Sequence, residues 1–175
     1  MVIDSGSMAM DMAIKRQQIG AIWYDVPLLN YTTTIDAHMT IAEIQQMLAK
    51  AGASAILTEF DDTGNVVALS FRMKLGEQEI SFRLPTDWRP VLETMKQQKA
   101  RRVRGYGDIR LTEDQARRVA WRITKDWVEA QVAIVETRMV TTAQVFLPYA
   151  ITSSGQSLYE YIDQNTQLLL GSGAS

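Results

Sequence analysis

SAILTEFDDTGNVVALSFRMKLGEQEISFRL, residues 54–84, is the stretch that decides the fold. Apolar and polar residues alternate along most of it, which is the two-residue period of a β-strand with one buried face and one solvated face. DDTGN at 61–65 and the Gly76-Glu77 pair are typical of turns. The stretch therefore predicts three strands that form an antiparallel meander.

The same alternation predicts which side chains of the sheet are buried. We expect the apolar positions of the second and third strands to face inward and the polar positions to face outward. The inward set is Val67, Leu69, Phe71, Met73, Leu75, Ile80, Phe82 and Leu84. The outward set is Ala68, Ser70, Arg72, Lys74, Glu79, Ser81 and Arg83.

A helix is predicted immediately before this sheet. Thr40 and Glu43 have the spacing of a capping box, in which each side chain satisfies a backbone amide of the first turn. Gly52 is typical of the residue that ends a helix. The apolar residues between them fall on one face, so we expect this helix to cover the buried face of the sheet. Further upstream, residues 28–37 alternate like a strand, and residues 19–26 predict a short strand or an apolar arm.

Three more helices are predicted after the sheet, near residues 87–98, 113–147 and 158–165. The second and third begin with Thr112-Glu-Asp-Gln115 and Ser157-Leu-Tyr-Glu160, which again have capping-box spacing. The fold class is therefore α+β: an antiparallel β-meander covered by a helix, followed by a long C-terminal helix and a short terminal helix.

The length of 175 residues fits a single domain with a substantial core. We expect a flexible N-terminal tail at residues 1–18, one α+β domain at 19–165 and a C-terminal tail at 166–175.

The helix predicted at 113–147 is long for a domain of this size. It would extend about 50 Å at 1.5 Å per residue, whereas the radius of gyration expected for the domain is only ~16 Å. We therefore expect the helix to protrude, bend or pack against a second copy, with the β-branched run at 140–142 as its weak point. The predicted oligomer interface is Ile123, Trp127, Ile134 and Met139.

The residue inventory excludes several classes of enzyme. The chain has no cysteine, which excludes a disulfide framework, thiolate metal sites and thiol catalysis. His38 is the sole histidine, so neither a histidine-based catalytic triad nor a multi-histidine metal site is expected. Glu59, Asp61 and Asp62 form the densest acidic cluster, and Gly64-Asn65 after it predicts a turn rather than a metal site. We expect a non-enzymatic protein with no cofactor and no metal.

The hydropathy pattern argues against a membrane protein. No apolar run approaches the ~20 residues that a spanning helix needs. The start, MVIDSGSMAMDMAIK, lacks the charged-then-apolar plan of a secretory signal. We therefore expect no membrane partner and a cytoplasmic location.

The charge distribution singles out residues 96–125. Ten cations less three acids give this segment a net charge of +7, whereas the whole chain carries −2 and the remainder therefore −9. The ten are Lys96, Lys99, Arg101, Arg102, Arg104, Arg110, Arg117, Arg118, Arg122 and Lys125. This asymmetry points to a polyanionic partner.

The sequence around KARRVRGYGD, residues 99–108, predicts a nucleic-acid interface. Guanidinium groups match phosphate geometry, and loop glycines let the backbone approach a phosphate closely. Tyr106 is a candidate for stacking on bases, as single-strand binding proteins use. The predicted contacts are Arg101, Arg102, Arg104, Tyr106, Arg110, Arg117, Arg118 and Arg122, joined by Arg72, Lys74 and Arg83 on the outer face of the sheet.

A purely structural interpretation of the same residues stays open. The helix arginines could pair with Glu113, Asp114 and Asp126, and Trp88 and Trp121 are more typical of core positions than of base-stacking positions. A pI near 5.4 also argues against a domain that binds nucleic acid over its whole surface.

Two segments resemble a family of small bacteriophage and prophage proteins, generally labelled hypothetical. One is ARRVAWRITKDWVEAQVAIVETRM, residues 116–139; the other combines YTTTIDA at 31–37 with EIQQMLAKAGASAILTEFDDTGNVVALSFRM at 43–73. The resemblance spans residues 31–161. It implies a phage origin, a cytoplasmic location in a bacterial host, and a role in phage DNA metabolism or in countering host defence, and it carries over no catalytic residue.

We therefore expect a non-enzymatic protein that binds single-stranded DNA or recombination and replication intermediates. One alternative is an oligomeric module that binds a host or phage protein through the long helix. Another is a protein that binds small anions or nucleotides, which ligand would stabilise without any binding of polynucleotide.

Overall fold

A computed structural model of the chain describes residues 26–165, which form an α+β fold around a three-stranded antiparallel sheet of order β1-β2-β3. The predicted fold class is confirmed. In chain order the elements are α1 (Ala37–Lys50), β1 (Ala55–Phe60), β2 (Val66–Leu75), β3 (Gln78–Arg83), α2 (Arg89–Ala100), α3 (Glu113–Glu136), α4 (Thr142–Phe146), a 3-10 turn (Leu147–Tyr149) and α5 (Leu158–Gln164). The predicted tails at 1–18 and 166–175, and all but the last residue of the predicted segment 19–26, lie outside the described residues.

The sheet follows the predicted alternation except at the start of β2. Phe60 pairs with Val66 and Glu59 with Ala68, so Val67 is the extra residue of a β-bulge. The bulge places Val66 in the core at 6% exposure and leaves Val67 41% exposed, which makes the inward prediction for Val67 wrong.

Ala68 shows that facing outward does not guarantee exposure. It lies on the outer face of β2 as predicted, yet it is only 3% exposed. Glu59 on β1 and Arg83 on β3 form an ion pair at 3.0 Å. Because these two residues flank β2 on the outer face, their side chains cover Ala68.

Residues 28–36 do not form the predicted strand. Asn30 adopts a left-handed conformation, with φ of 61°, and the Tyr31 amide donates to the Leu28 carbonyl at 3.2 Å in a turn. The side-chain amide of Gln115 donates to the carbonyls of both Tyr31 and Thr33 at 3.0 Å. These tertiary hydrogen bonds outweigh the weak strand propensity of the local sequence.

Helix α1 packs on the sheet as predicted but begins earlier. Its N-cap is Asp36, whose carboxylate accepts from the His38 amide at 2.8 Å. Thr40 is therefore buried inside the first turn. Glu43 is bound to Arg122 at 2.8 Å, so it does not complete the predicted capping box.

Helix α3 is shorter than the prediction of one helix over 113–147. Thr112 caps its start as predicted, accepting from the Gln115 amide at 3.1 Å. The helix ends at Glu136, and Arg138 with φ of 61° turns the chain away. A capping box between Thr141 and Gln144 then starts α4. The interruption therefore includes the first part of the predicted weak point.

The remaining helices differ little from the predictions. Helix α2 begins and ends two residues later than the predicted 87–98, and α5 begins with the predicted Ser157–Glu160 capping box, both halves of which form. Over residues 26–165, no helix combines the length and apolar character needed to cross a membrane.

The apolar interior consists of two clusters. The larger lies between the inner face of the sheet and helices α1, α3 and α4, where the rings of Phe71 and Phe82 stack at 5.2 Å and Phe146 meets Phe71 edge-on at 5.3 Å. The smaller contains Met95, Val103, Tyr106 and Val119. It joins α2, the loop after α2 and the first turns of α3.

Replacing Phe82 by alanine should lower the free energy of unfolding by about 3–5 kcal/mol, because the ring is fully buried and its loss leaves a cavity. Phe60→Ala removes the same atoms from a ring that is 60% exposed, so its cost should stay below ~1 kcal/mol. Urea denaturation of both variants in dilute solution measures the difference. Equal losses would contradict this assignment of the core.

Candidate nucleic-acid interface

Residues 101–112 connect α2 to α3 and form a loop with a regular internal pattern. Val103, Tyr106 and Ile109, three residues apart, turn inward; Val103 is 8% and Tyr106 1% exposed. The Val103 amide donates to the Gln98 carbonyl at 3.1 Å, and the Ile109 amide donates to the Tyr106 carbonyl at 3.3 Å. The loop is therefore held against the smaller cluster along its length.

Tyr106 is the main anchor of this loop. Its hydroxyl donates to Oε1 of Gln98 and accepts from the Leu28 amide at 3.4 Å. Its ring stacks on Tyr31 with centroids 4.6 Å apart. Burial raises the pKa of Tyr106 above its ordinary value. The prediction that Tyr106 stacks on bases is wrong, because its ring belongs to the core.

Gly105 serves the loop rather than a ligand. It has φ of 99°, and a Cβ at this position would collide with the Tyr31 hydroxyl. The absence of a side chain therefore lets the loop close over Tyr31. The suggested approach of the glycine backbone to a phosphate is not needed to explain this residue.

The cationic side chains of the loop point away from the anchors. Arg102, Arg104 and Arg110 are exposed, as is Lys96 on the last turns of α2. Within residues 26–165 none of these four forms an ion pair with a carboxylate. Arg101 is also exposed, but it takes part in an interaction and therefore differs from these four residues.

Lys99 supports the loop from below. Its Nζ donates to the carbonyl of Ile109 at 2.8 Å. The ammonium group of Lys99 is therefore bound to the backbone of the loop and not to a carboxylate. The loop itself contains one acid, the exposed Asp108. The result is a fixed, locally positive surface, which we call the basic loop: Lys96, Arg102, Arg104 and Arg110.

The cations of α3 are arranged differently, since they pair with carboxylates. Arg118 lies 2.8 Å from Asp114 one turn earlier on the helix. Arg122 is 2.8 Å from Glu43 on α1 and 20% exposed. Lys125 pairs with the following Asp126 and with the carboxylate one turn later. The predicted phosphate contacts at Arg118 and Arg122 are not supported, because carboxylates already occupy these guanidinium groups.

Arg117 is held by a carboxylate and a ring. Its guanidinium lies 3.6 Å from the Asp61 carboxylate and 4.7 Å from the centre of the Trp88 ring. Hydrogen bonds from the Thr63 hydroxyl and the Asn65 amide lower the pKa of Asp61 to about 2. Asp61 of the acidic cluster therefore stabilises the predicted turn. Arg117 links this turn to α3, so its predicted contact with a phosphate is not supported.

Both arginines on the outer face of the sheet form ion pairs. Arg72 pairs with Glu79 at 3.2 Å, and Arg83 pairs with Glu59 at 3.0 Å. Lys74 is exposed at the far end of β2, next to Met73, which lines a cavity with the C-terminal turn of α3. The predicted extension of the positive surface onto the sheet is therefore not supported.

The predicted oligomer interface on α3 is partly used within the chain. Ile123 packs against the smaller cluster, and Trp127 meets the ring of Phe146 at 5.6 Å. Ile134 is half-buried and Met139 is 69% exposed. These four residues therefore do not form one open stripe.

Sequence reasoning missed the residues that fix the basic loop, above all Gln98. This buried amide joins Tyr106 to the segment before α1, donating from Nε2 to the Val26 carbonyl at 2.8 Å. The three-residue spacing of Val103, Tyr106 and Ile109 was the available signal. The chain matches no protein-family model, no curated protein and no solved structure.

Removing the Tyr106 hydroxyl should loosen the basic loop. Tyr106→Phe removes the hydroxyl that donates to Gln98, while the Leu28 amide still donates to Oε1 of Gln98 at 3.0 Å. We therefore expect a loss of about 0.5–1.5 kcal/mol in the free energy of unfolding and faster amide exchange over residues 101–110. Tyr161→Phe is the control, because that hydroxyl belongs to an exposed residue. Unchanged exchange in the Tyr106 variant would contradict the anchoring role.

The same residue predicts a response to alkaline pH. Because the pKa of Tyr106 is raised in the folded state, the folded protein keeps this proton at a pH where the unfolded chain has lost it. The free energy of unfolding should therefore fall as pH rises above about 10, the ordinary tyrosine pKa. Tyr106→Phe should show a smaller fall over that range in denaturation series at fixed pH values.

Proposed function

We propose that this protein binds nucleic acid through its basic loop, using phosphate contacts rather than base contacts. The observation that carries the proposal is the contrast between two sets of cations. On α3 and on the sheet, carboxylates lie against Arg72, Arg83, Arg117, Arg118, Arg122 and Lys125. Lys96 at the end of α2 and Arg102, Arg104 and Arg110 on the loop that the core holds in place are exposed without such partners.

Fixed, unpaired cations favour anion binding on energetic grounds. An arginine that leaves an internal carboxylate to bind a phosphate exchanges one charged partner for another, while an unpaired one gains a partner. Because the anchors already order the backbone of the loop, little further entropy is lost on binding. The rest of the chain is acidic, so a polyanion is repelled elsewhere and directed to this loop.

The geometry favours a single strand over a duplex. The cations occupy the end of α2 and both ends of a loop whose backbone turns repeatedly between residues 99 and 109, so a strand that contacts all of them must follow those turns. A flexible single strand can follow such a surface, whereas a duplex with a persistence length of about 150 base pairs stays straight. With Tyr106 buried, the loop offers no ring for stacking, so we expect little dependence on base sequence.

The proposed role is in DNA metabolism, in keeping with the phage resemblance of the sequence. A protein that holds single-stranded DNA by its phosphates can serve replication or recombination without chemistry of its own. The alternative of a protein-binding surface along α3 is weaker, since Ile123 and Trp127 are used inside the chain.

A salt titration tests the proposal. Fluorescence anisotropy with labelled single-stranded and duplex oligonucleotides gives the affinity at several salt concentrations. Four phosphate contacts to a single strand predict a slope of about −3 in log affinity against log salt. Arg102→Gln/Arg104→Gln/Arg110→Gln should flatten that slope by about 2, since each lost contact removes roughly 0.7.

The matched control removes the same charge from the other end of the molecule. Lys50, Lys74 and Arg138 are exposed. They lie near the C-terminal end of α3, where Lys50 and Met73 line a cavity with Val135 and Glu136, and that end is about 36 Å from the start of the 24-residue helix. Lys50→Gln/Lys74→Gln/Arg138→Gln should leave the slope nearly unchanged. An equal effect of both triple variants, or no binding by the parent protein at low salt, would overturn the proposal.

A further inference from the structure

Strand β1 presents an open edge with exposed apolar side chains. It is the first strand of the sheet, and among the described residues nothing pairs with its outer side. Leu57 is 62% and Phe60 60% exposed. Natural edge strands are usually shielded by lysine, proline or a bulge on the strand itself, because unpaired amides and carbonyls invite another strand.

None of those protective features is present on β1. Its sequence, AILTEF, contains neither lysine nor proline, and the bulge of this sheet lies on β2 at Val67. Its single charge, Glu59, is held by Arg83. The backbone amides and carbonyls on the outer side of β1 are therefore available to pair with another strand.

Part of the opposite edge of the sheet is covered by the chain itself. Ala150 bridges to Phe82 on β3, and the Ile151 amide donates to the Ser81 carbonyl at 2.8 Å. Two copies that pair through the β1 edge use that edge on both molecules. Such pairing gives a closed two-fold dimer and not a growing fibre.

The sequence of β1 is complementary to itself in that arrangement. About a two-fold axis through Leu57, antiparallel strands place Leu57 opposite Leu57 of the second copy, Ala55 opposite Glu59, and Ile56 opposite Thr58. No like charges meet, and the largest exposed apolar side chain of the outer face lies at the centre. We propose that two copies of this chain pair through β1 to form a continuous six-stranded sheet.

The neighbouring surface allows the close approach that this pairing requires. Gln45 on α1 donates to the Thr58 hydroxyl at 3.1 Å, so its side of the helix lies along β1. Ala42 and Ala49, three and four residues away, share that side and are exposed. Small side chains there leave room for the second copy beside the strand.

Pairing through Leu57 also extends a cavity on the outer face. A groove of about 590 Å³ runs over this face, bordered by Leu57, Ser70 and Arg83. In the dimer the groove of each copy begins at the shared Leu57 contact. The two grooves then form one surface across the six strands.

The dimer has a definite relation to the basic loops. Asp61 follows β1 directly and contacts Arg117 in the first turns of α3, so the basic loop lies toward the C-terminal end of β1. Antiparallel pairing directs these ends in opposite directions. One particle would then present two basic loops on opposite sides, although the pairing itself does not rest on nucleic-acid binding.

Light scattering after size exclusion tests the pairing without any nucleic acid. The parent chain of 19.7 kDa should approach twice that mass as its concentration rises from about 10 µM to about 500 µM. Leu57→Lys should stay monomeric over that range, because it places two ammonium groups opposite each other. Gln78→Lys is the control, because it adds the same charge at an exposed position of β3, away from the β1 edge, and it should dimerise like the parent.

A mixing experiment separates two-fold pairing from a general loss of folding. Leu57→Lys and Leu57→Glu should each be monomeric alone, with parent-like circular dichroism, and should regain the dimer mass when mixed in equal amounts. A parent chain that stays monomeric throughout would overturn the proposal, as would a mixture that stays monomeric. A monomeric parent chain would not affect the salt-slope test of the basic loop. A failure of that salt-slope test would likewise not affect the test of the dimer.

Discussion

The hydrogen bond between the Tyr106 hydroxyl and the Gln98 side chain is the contact on which the basic loop depends. It joins α2, the loop and the segment before α1 in one buried place, and the ring stacks on Tyr31 beneath the loop backbone. The four arginines of residues 101–110 repel one another, and this contact is one of those that hold the loop against that repulsion. With this contact, the loop has an inner side that is part of the core and an outer side that carries charge.

Two groups of cations in this chain differ in what surrounds them. Several cations of α3 and the sheet connect elements: Arg122 joins α3 to α1, Arg117 joins α3 to the turn after β1, and Arg83 joins β3 to β1. On the basic loop they connect nothing within the described residues. The net charge of −2 does not indicate this difference, because it depends on which side chains surround each cation.

The sequence predicted well those features that depend on local periodicity. The alternation in residues 54–84 predicted three strands and the buried faces of Phe71 and Phe82, and the caps at Thr112 and Ser157 predicted the starts of two helices. The sequence did not predict the features that depend on residues far away in the chain. The turn at Asn30 depends on Gln115, more than eighty residues away, and the burial of Tyr106 depends on Gln98 and Tyr31. Pairing of the α3 arginines was foreseen only for partners on the same helix, since a carboxylate on another element leaves no trace in the local pattern.

The two glycines of the basic loop differ in how freely evolution can replace them. At position 105 any side chain would strike Tyr31, and the backbone is left-handed as well, so a substitution there would have to be matched by changes in the core. At position 107 a Cβ would meet only open space. Related sequences that keep this loop should therefore retain the first glycine and vary at the second, where new side chains could alter the binding surface without disturbing its support.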